Sequence, residues 1–220
     1  MIPDGRIPAS VHPPPSAEEP KTVNDRSLRE TREFFAAKAA TWEEKYPDDG
    51  PAFAAAIAEM ALPAGGLVLD AGCGTGRAFP LLRDAVGAAG RVVGVDVTPE
   101  MIRSARERGR GESGLLLIAD VGRLPLRDGV ADGVLASGLI SHVLRPEAVL
   151  SELARVTRPG GRLALFHPVG RAVLAARRGR TLTPDDVRAE HNLRPLLDAV
   201  GWTLLDYHDT EERYLAVARR

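Results

Sequence analysis

Residues Val68 to Gly76 read V-L-D-A-G-C-G-T-G, and the rest of the chain is best read outward from them. Leu67, Val68 and Leu69 form a short apolar run, the pattern of a buried strand. The run ends on an acid, Asp70, and glycine then fills alternate positions: Gly72, Gly74 and Gly76. The next segment, Arg77 to Val86, has helical character. A strand that enters a glycine-rich turn and leaves as a helix builds a nucleotide cradle. Glycine lacks Cβ, accepts positive φ and lets backbone approach a ligand closely.

The spacing narrows the ligand. A dinucleotide site requires G-x-G-x-x-G, whose last glycine packs helix on strand beside a pyrophosphate. Here Arg77 stands where that glycine belongs, and the third glycine comes one residue early. The pattern D-x-G-x-G-x-G resembles the first motif of class I S-adenosylmethionine (SAM)-dependent methyltransferases. The resemblance implies a ligand without pyrophosphate: an adenosine carrying a methionine tail and a sulfonium centre.

Composition sets the bounds. At 220 residues, one domain with a sizeable core is expected. The formal net charge of −1 gives no global attraction to nucleic acid or to an anionic membrane. The lone cysteine, Cys73, excludes an internal disulfide and any multi-cysteine metal site. No run approaches the ~18 apolar residues needed to span a membrane. The first residues lack a basic-then-apolar leader pattern, so a cytoplasmic location is expected.

Residues 1–24 are Pro-rich and polar and read as a disordered tail. Residues 25–62 read as a helical cover. Phe34, Phe35, Ala39 and Trp42 recur at helical spacing over Arg29–Tyr46, and a second helix runs from Pro51 to Leu62. Residues 63–220 read as the main domain. Strands are expected at Leu67–Leu69, Arg91–Val95, Leu115–Ile118, Gly133–Ala136 and Arg162–Phe166, the last entered through a Pro159-Gly160-Gly161 turn. Helices are expected over Arg77–Val86, Pro99–Arg108 (with Thr98 as N-cap) and Glu147–Val156. Such strand–helix units imply a parallel sheet covered on both faces. After a helix at Leu193–Val200, the strands Trp202–Tyr207 and Tyr214–Ala218 flank a short polar turn and form an antiparallel hairpin. The expected class is therefore α/β. It is a doubly wound, Rossmann-like, mostly parallel seven-stranded sheet ending in a hairpin, similar to the methyltransferase fold.

Four features beside the glycines bear on chemistry. Asp96 ends the second strand, twenty residues after Gly76. A carboxylate there can accept hydrogen bonds from both ribose hydroxyls, or can cap the next helix. Asp120 ends the third strand. The resemblance assigns it to the adenine amino group, with backbone at Ala119 and Val121 nearby and with Val97, Met101 and Val121 as ring walls; a turn-capping role is the alternative. The resemblance also gives Asp70 a role in organising the loop and reaching the methionine amino group. Asp132 to Val143 looks like the family's fourth-strand motif, with Ser137 and Gly138 at the sheet's carboxyl edge. His142 and His167 are candidate general bases for an acceptor hydroxyl or amine. Each has a packing alternative. The 170–192 stretch, with Arg171, Arg177, Arg178, Arg180, Thr183-Pro184-Asp185-Asp186 and His191, reads either as an acceptor-side lid with anion preference or as a solvated helix. Trp42 and Tyr46 are the best candidates for a cofactor cover.

The implied reaction is direct displacement of the SAM methyl by O, N or C of a small-molecule acceptor, in a monomer or homodimer. No nucleic acid, membrane or metal is expected to take part. No N-P-P-Y-type run is present, and arsenite methylation needs more cysteines than Cys73 alone. A non-catalytic SAM-binding module, a nucleic-acid or protein methyltransferase and an NAD-dependent enzyme are the alternatives.

Overall fold

The computed structural model describes residues 23–45 and 49–220; the expected tail and Tyr46 lie outside the described residues, apart from Val23 and Asn24. These two open the first helix, α1 (Val23–Ala36), ahead of the expected start. Two single 3-10 turns follow, at Ala39–Thr41 and Glu43–Lys45, so the continuous helix expected to Tyr46 is broken. Tertiary contact overrides the helical period here. Phe35 and Trp42 would sit about 10.5 Å apart along a continuous axis. The break lets their rings meet edge to face with 5.6 Å between centroids. α2 (Gly50–Glu59) carries Pro51 in its first turn, where a missing N–H costs nothing.

The sheet strands are β1 (Leu67–Ala71), β2 (Arg91–Asp96), β3 (Leu115–Ile118), β4 (Ala131–Ser137), β5 (Thr157–His167), β6 (Thr203–Asp209) and β7 (Tyr214–Arg219). They form one seven-stranded sheet in the order β3-β2-β1-β4-β5-β7-β6. β1 to β5 are parallel, β7 is antiparallel to β5, and β6 is antiparallel to β7. This is the expected class. β5 starts earlier than expected, but its register against β4 jumps from Ala131↔Thr157 to Gly133↔Arg162. The Pro-Gly-Gly segment is thus extruded within the strand, with Gly160 at φ +80°.

Side chains alternate between two cores, as period-two geometry requires. Leu69, Val134 and Leu163 face α5 (Pro146–Val156) and α7 (Glu190–Ala199). Val68, Leu135 and Ala164 face α2 and α3 (Phe79–Val86). α4 (Pro99–Glu107) follows β2; Thr98 stands at its N-cap, but the expected side-chain cap bond is not made. Asp96 Oδ1 instead accepts the Thr98 N–H at 2.8 Å, so the acid before the helix does the capping work. The chain leaves β1 for β2 on one side and returns to β4 on the other. Ligands bind at such a switch point, beyond the carboxyl ends of the strands.

Candidate functional site

A cavity of about 480 Å³ opens at that switch point. Asp70, Asp96 and Asp120 enter it from the ends of β1, β2 and β3, and Ser137, Gly138 and His167 from the ends of β4 and β5. The volume lies within the range of small-ligand sites, about 300–1,000 Å³.

The glycine turn is built for close approach. Gly72, Gly74 and Gly76 have φ of +72°, +54° and +76°, and a Cβ on Gly72 would come within 3.0 Å of Leu139 Cδ1. The N–H groups of Gly72 and Cys73 both bond Val95 O, that of Gly74 bonds Asp96 Oδ2, and that of Gly76 bonds Cys73 O. These four donors are turned inward, so they make no anion nest for a pyrophosphate. Gly72 and Gly74 line the cavity. Gly76 stands behind it, turning the chain into α3 against Arg110 and Ala105.

Asp70 is 2% exposed, and its Oδ2 has no hydrogen-bond partner. Burial first, and then the charge of Asp96, push its carboxyl up to about 7. Such an oxygen is stabilised by a cationic hydrogen-bond donor from a ligand. Asp96 is also raised by burial, against the lowering effect of the Thr98 and Gly74 N–H groups. Each of its oxygens holds one backbone N–H and keeps a second acceptor direction. Asp120 Oδ1 accepts the Gly122 N–H at 2.8 Å. It therefore caps its turn while Asp120 still lines the cavity. Val97, Met101 and Val121 line the cavity as well. Ala119 does not: its N–H extends the β2–β3 ladder to Asp96 O. The Cys73 thiol is pushed well above its usual range by burial, Asp70 and Asp96, which leaves it protonated and inert. Orphaned acid, paired acids and close-approach glycines together fit an adenosine ligand with a cationic tail.

The other half of the cavity is apolar and cationic. Phe35, Trp42 and Phe53 line it from the N-terminal cover; Phe34 stays 49% exposed, under the Lys38 ammonium. The cover is tied to the cofactor side by polar contacts. Arg32 Nε donates to Val97 O at 2.9 Å, Thr75 Oγ1 donates to Glu43 Oε1 at 2.8 Å, and Arg77 pairs with Asp49. Arg77, Arg123 and Arg145 also line the cavity. The sequence reading missed these three because a lone surface arginine carries no pattern.

Both histidines line the cavity. His142 packs against Phe34 and Phe35, its ring 5.2 Å from that of Phe35. Burial, then the charges of Arg178 and Arg188, lower its pKa. His167 lies beside Gly138, and its Nδ1 is 2.9 Å from Val169 O and 3.1 Å from Val169 N. Burial foremost, opposed by the Val169 contact, brings it down to about 4. Both rings are neutral at pH 7.

Part of the 170–192 stretch lines the cavity and part does not. α6 (Arg171–Arg177) is pinned to the hairpin: Arg171 pairs with Asp209 at 2.9 Å and with Asp186 at 3.2 Å. Leu174 and Arg178 nevertheless line the cavity. His191 does not; its Nε2 sits 3.0 Å from Pro184 O. No helix among the described residues is long and apolar enough to cross a membrane.

Residues 69–165 match a family model described as a methyltransferase domain. The chain is 35% identical over 162 residues to the methyltransferase GfsG of Streptomyces halstedii, covering 68% of this chain and 57% of that protein. It is 30% identical over 169 residues to the arsenite methyltransferase of Halobacterium salinarum, covering 69% of this chain and 41% of that one. Its fold matches a SAM-dependent methyltransferase from Aquifex aeolicus with a TM-score of 0.67 at 24% identity, over 83% of this chain and 97% of the other. The chain spans between 29% and 57% of the length of the first curated relatives that it matches.

Proposed function

The chain belongs to the class I SAM-dependent methyltransferases, and we propose that it methylates O, N or C of a small-molecule acceptor by direct displacement. One observation carries the reading: a single cavity joins an acid-lined half, holding the unpartnered Asp70 Oδ2, to an apolar half holding two neutral histidines. The formal net charge of −1 supports a small acceptor over a nucleic acid.

In this reading, Asp70 takes the cationic amino group of the methionine tail. Asp96 accepts from the ribose through the acceptor directions left free by Gly74 and Thr98. Asp120, with Val97, Met101 and Val121, forms the adenine end, and Ser137 and Gly138 border the reacting centre. SAM supplies a methyl group already activated as a sulfonium. The protein then mainly positions and aligns the acceptor. Residues 25–62, the cover, exclude water over the cavity and wall the acceptor. In the tautomer that donates Nδ1–H to Val169 O, and not in the one that accepts the Val169 N–H, His167 keeps its Nε2 lone pair to take a proton from an acceptor O–H or N–H. His142 is the second candidate for that proton. Cys73, the chain's one cysteine, separates this chemistry from metalloid methylation through several thiols.

Calorimetric titration with SAM, S-adenosylhomocysteine and NAD, followed by radiolabelled methyl transfer to a small-molecule panel, tests the proposal. Micromolar binding of the first two without NAD, and label on a panel member, is expected. NAD binding would reverse the reading of the glycine turn. Cofactor binding with no transfer to any acceptor class would leave a binding module.

A further inference from the structure

The arginines around the cavity are not equivalent. Arg77 is paired with Asp49, and Arg171 and Arg188 are locked onto Asp186, Arg171 also onto Asp209. Arg178, one residue beyond α6, lines the cavity with Arg123 and Arg145, and among the described residues none of these three guanidinium groups has a carboxylate or a hydrogen-bond partner; of the three, only Arg178 acts on both candidate bases. Four carboxylates line the cavity: Asp70, Asp96 and Asp120 end the strands of the cofactor half, and Asp49 is taken by Arg77. The wall near Arg178 is instead apolar or imidazole. Leu174 is one helical turn before it, and its charge acts on both His142 and His167.

Arg178 is exposed, so its guanidinium stands at the rim of the cavity, a fork of donors whose geometry matches a carboxylate or another compact oxyanion entering there. We propose that the acceptor carries an anionic group on an apolar body, and that Arg178 binds that group. This rests on the methyl-transfer reading above and names the substrate class of the same site. An anion held by Arg178 would also offset the cationic field on the two histidines. That field disfavours their protonated forms, so bound acceptor brings each imidazole closer to the basicity that proton removal requires. Apolar binding alone would not call for an arginine here: the cavity already offers Phe35, Trp42, Phe53 and Leu174 as walls.

The test uses a matched pair of probes, 2-naphthoate and 2-naphthamide, which share a ring system and differ in charge. Each is titrated into the full chain saturated with S-adenosylhomocysteine, and binding is followed by ligand-observed NMR. Wild type should bind the naphthoate about tenfold or more tightly than the naphthamide. Arg178→Ala should erase that preference while affinity for naphthamide and S-adenosylhomocysteine stays unchanged. Arg177→Ala, on a residue that does not line the cavity, should keep the preference. Equal affinities in wild type, no binding of either probe, or a preference that survives Arg178→Ala would overturn the inference and leave the methyl-transfer reading standing. Failure to bind S-adenosylhomocysteine would overturn both.

Discussion

The two halves of the cavity differ in the acids they present and in construction. The cofactor half is made by the ends of β1, β2 and β3, each presenting an aspartate, with Asp70 almost fully buried. The acceptor half is made by the cover, the ends of β4 and β5 and the segment after α6, and presents Arg178, aromatics and neutral imidazoles. In the proposed reaction, a cationic reagent and an electron-rich nucleophile would be sorted by charge before they meet. The difference also separates what the sheet fixes from what loops and cover can vary. Under the proposed function, strand ends would hold the common ligand and replaceable elements would meet the particular one.

The largest expected effects strike each half at its centre. On the acceptor side, His167→Ala should lower kcat by about 10²-fold or more if the imidazole takes the proton, with SAM affinity unchanged. His142→Ala separates the two candidates. Normal turnover in both variants would show that the acceptor half only positions. On the cofactor side, Asp96→Ala should weaken SAM by roughly 3 kcal/mol, about a hundredfold. It removes two charge-assisted bonds to the ligand and releases the Gly74 and Thr98 N–H groups. Calorimetry on the folded variant reads this directly, and an unchanged affinity would remove the ribose role.

The same division explains what the sequence could reveal. The glycine turn, the strand-end acids and the hairpin are legible because each follows local rules: glycine at positive φ, acids where strands stop, and alternation within strands. The acceptor half is assembled from residues far apart in sequence. Phe35, Trp42, Leu174 and Arg178 converge only through packing, and the break after Ala36 that sets the first two carries no glycine or proline to announce it. Gly76 and Ala119 show the converse limit. Both sit in the expected motifs, yet backbone geometry sets them behind the cavity wall.

A smaller effect tests whether the acid half is built for its ligand at a cost to the free protein. Asp70 has a folded pKa of about 7, above its ordinary 3.8. Between those values the folded state holds a proton that the unfolded state has lost, so stability from this group is full below about pH 4 and falls as pH rises through 7. His167 runs the other way. With its pKa at about 4, below the ordinary 6.5, its contribution is full above pH 6.5 and is lost as pH falls toward 4. Asp70→Asn should therefore stabilise the ligand-free protein at pH 8 by on the order of 2 kcal/mol and weaken SAM about tenfold. Thermal melts with and without SAM read both. A variant that is destabilised without ligand would mean that Asp70 is structural.

The smallest effect concerns the joint between the halves. Glu43, on the cover, accepts the Thr75 hydroxyl and stands 3.6 Å from Arg108 and 3.8 Å from Arg110. Glu43→Gln keeps an acceptor for Thr75 but removes the charge. Partly exposed pairs of this kind contribute about 0.2–1 kcal/mol, so SAM affinity should fall less than about fivefold. The change should appear in dissociation, because a loosened cover frees bound cofactor sooner without altering the strand-end acids that capture it. Raising ionic strength well above ~0.1 M should bring wild-type dissociation toward the variant's, since the lost term is a screened one. A tenfold faster release at low salt would mean that the cover helps to hold the cofactor. The boundary between the halves would then run through residues 25–62, no longer along their inner face.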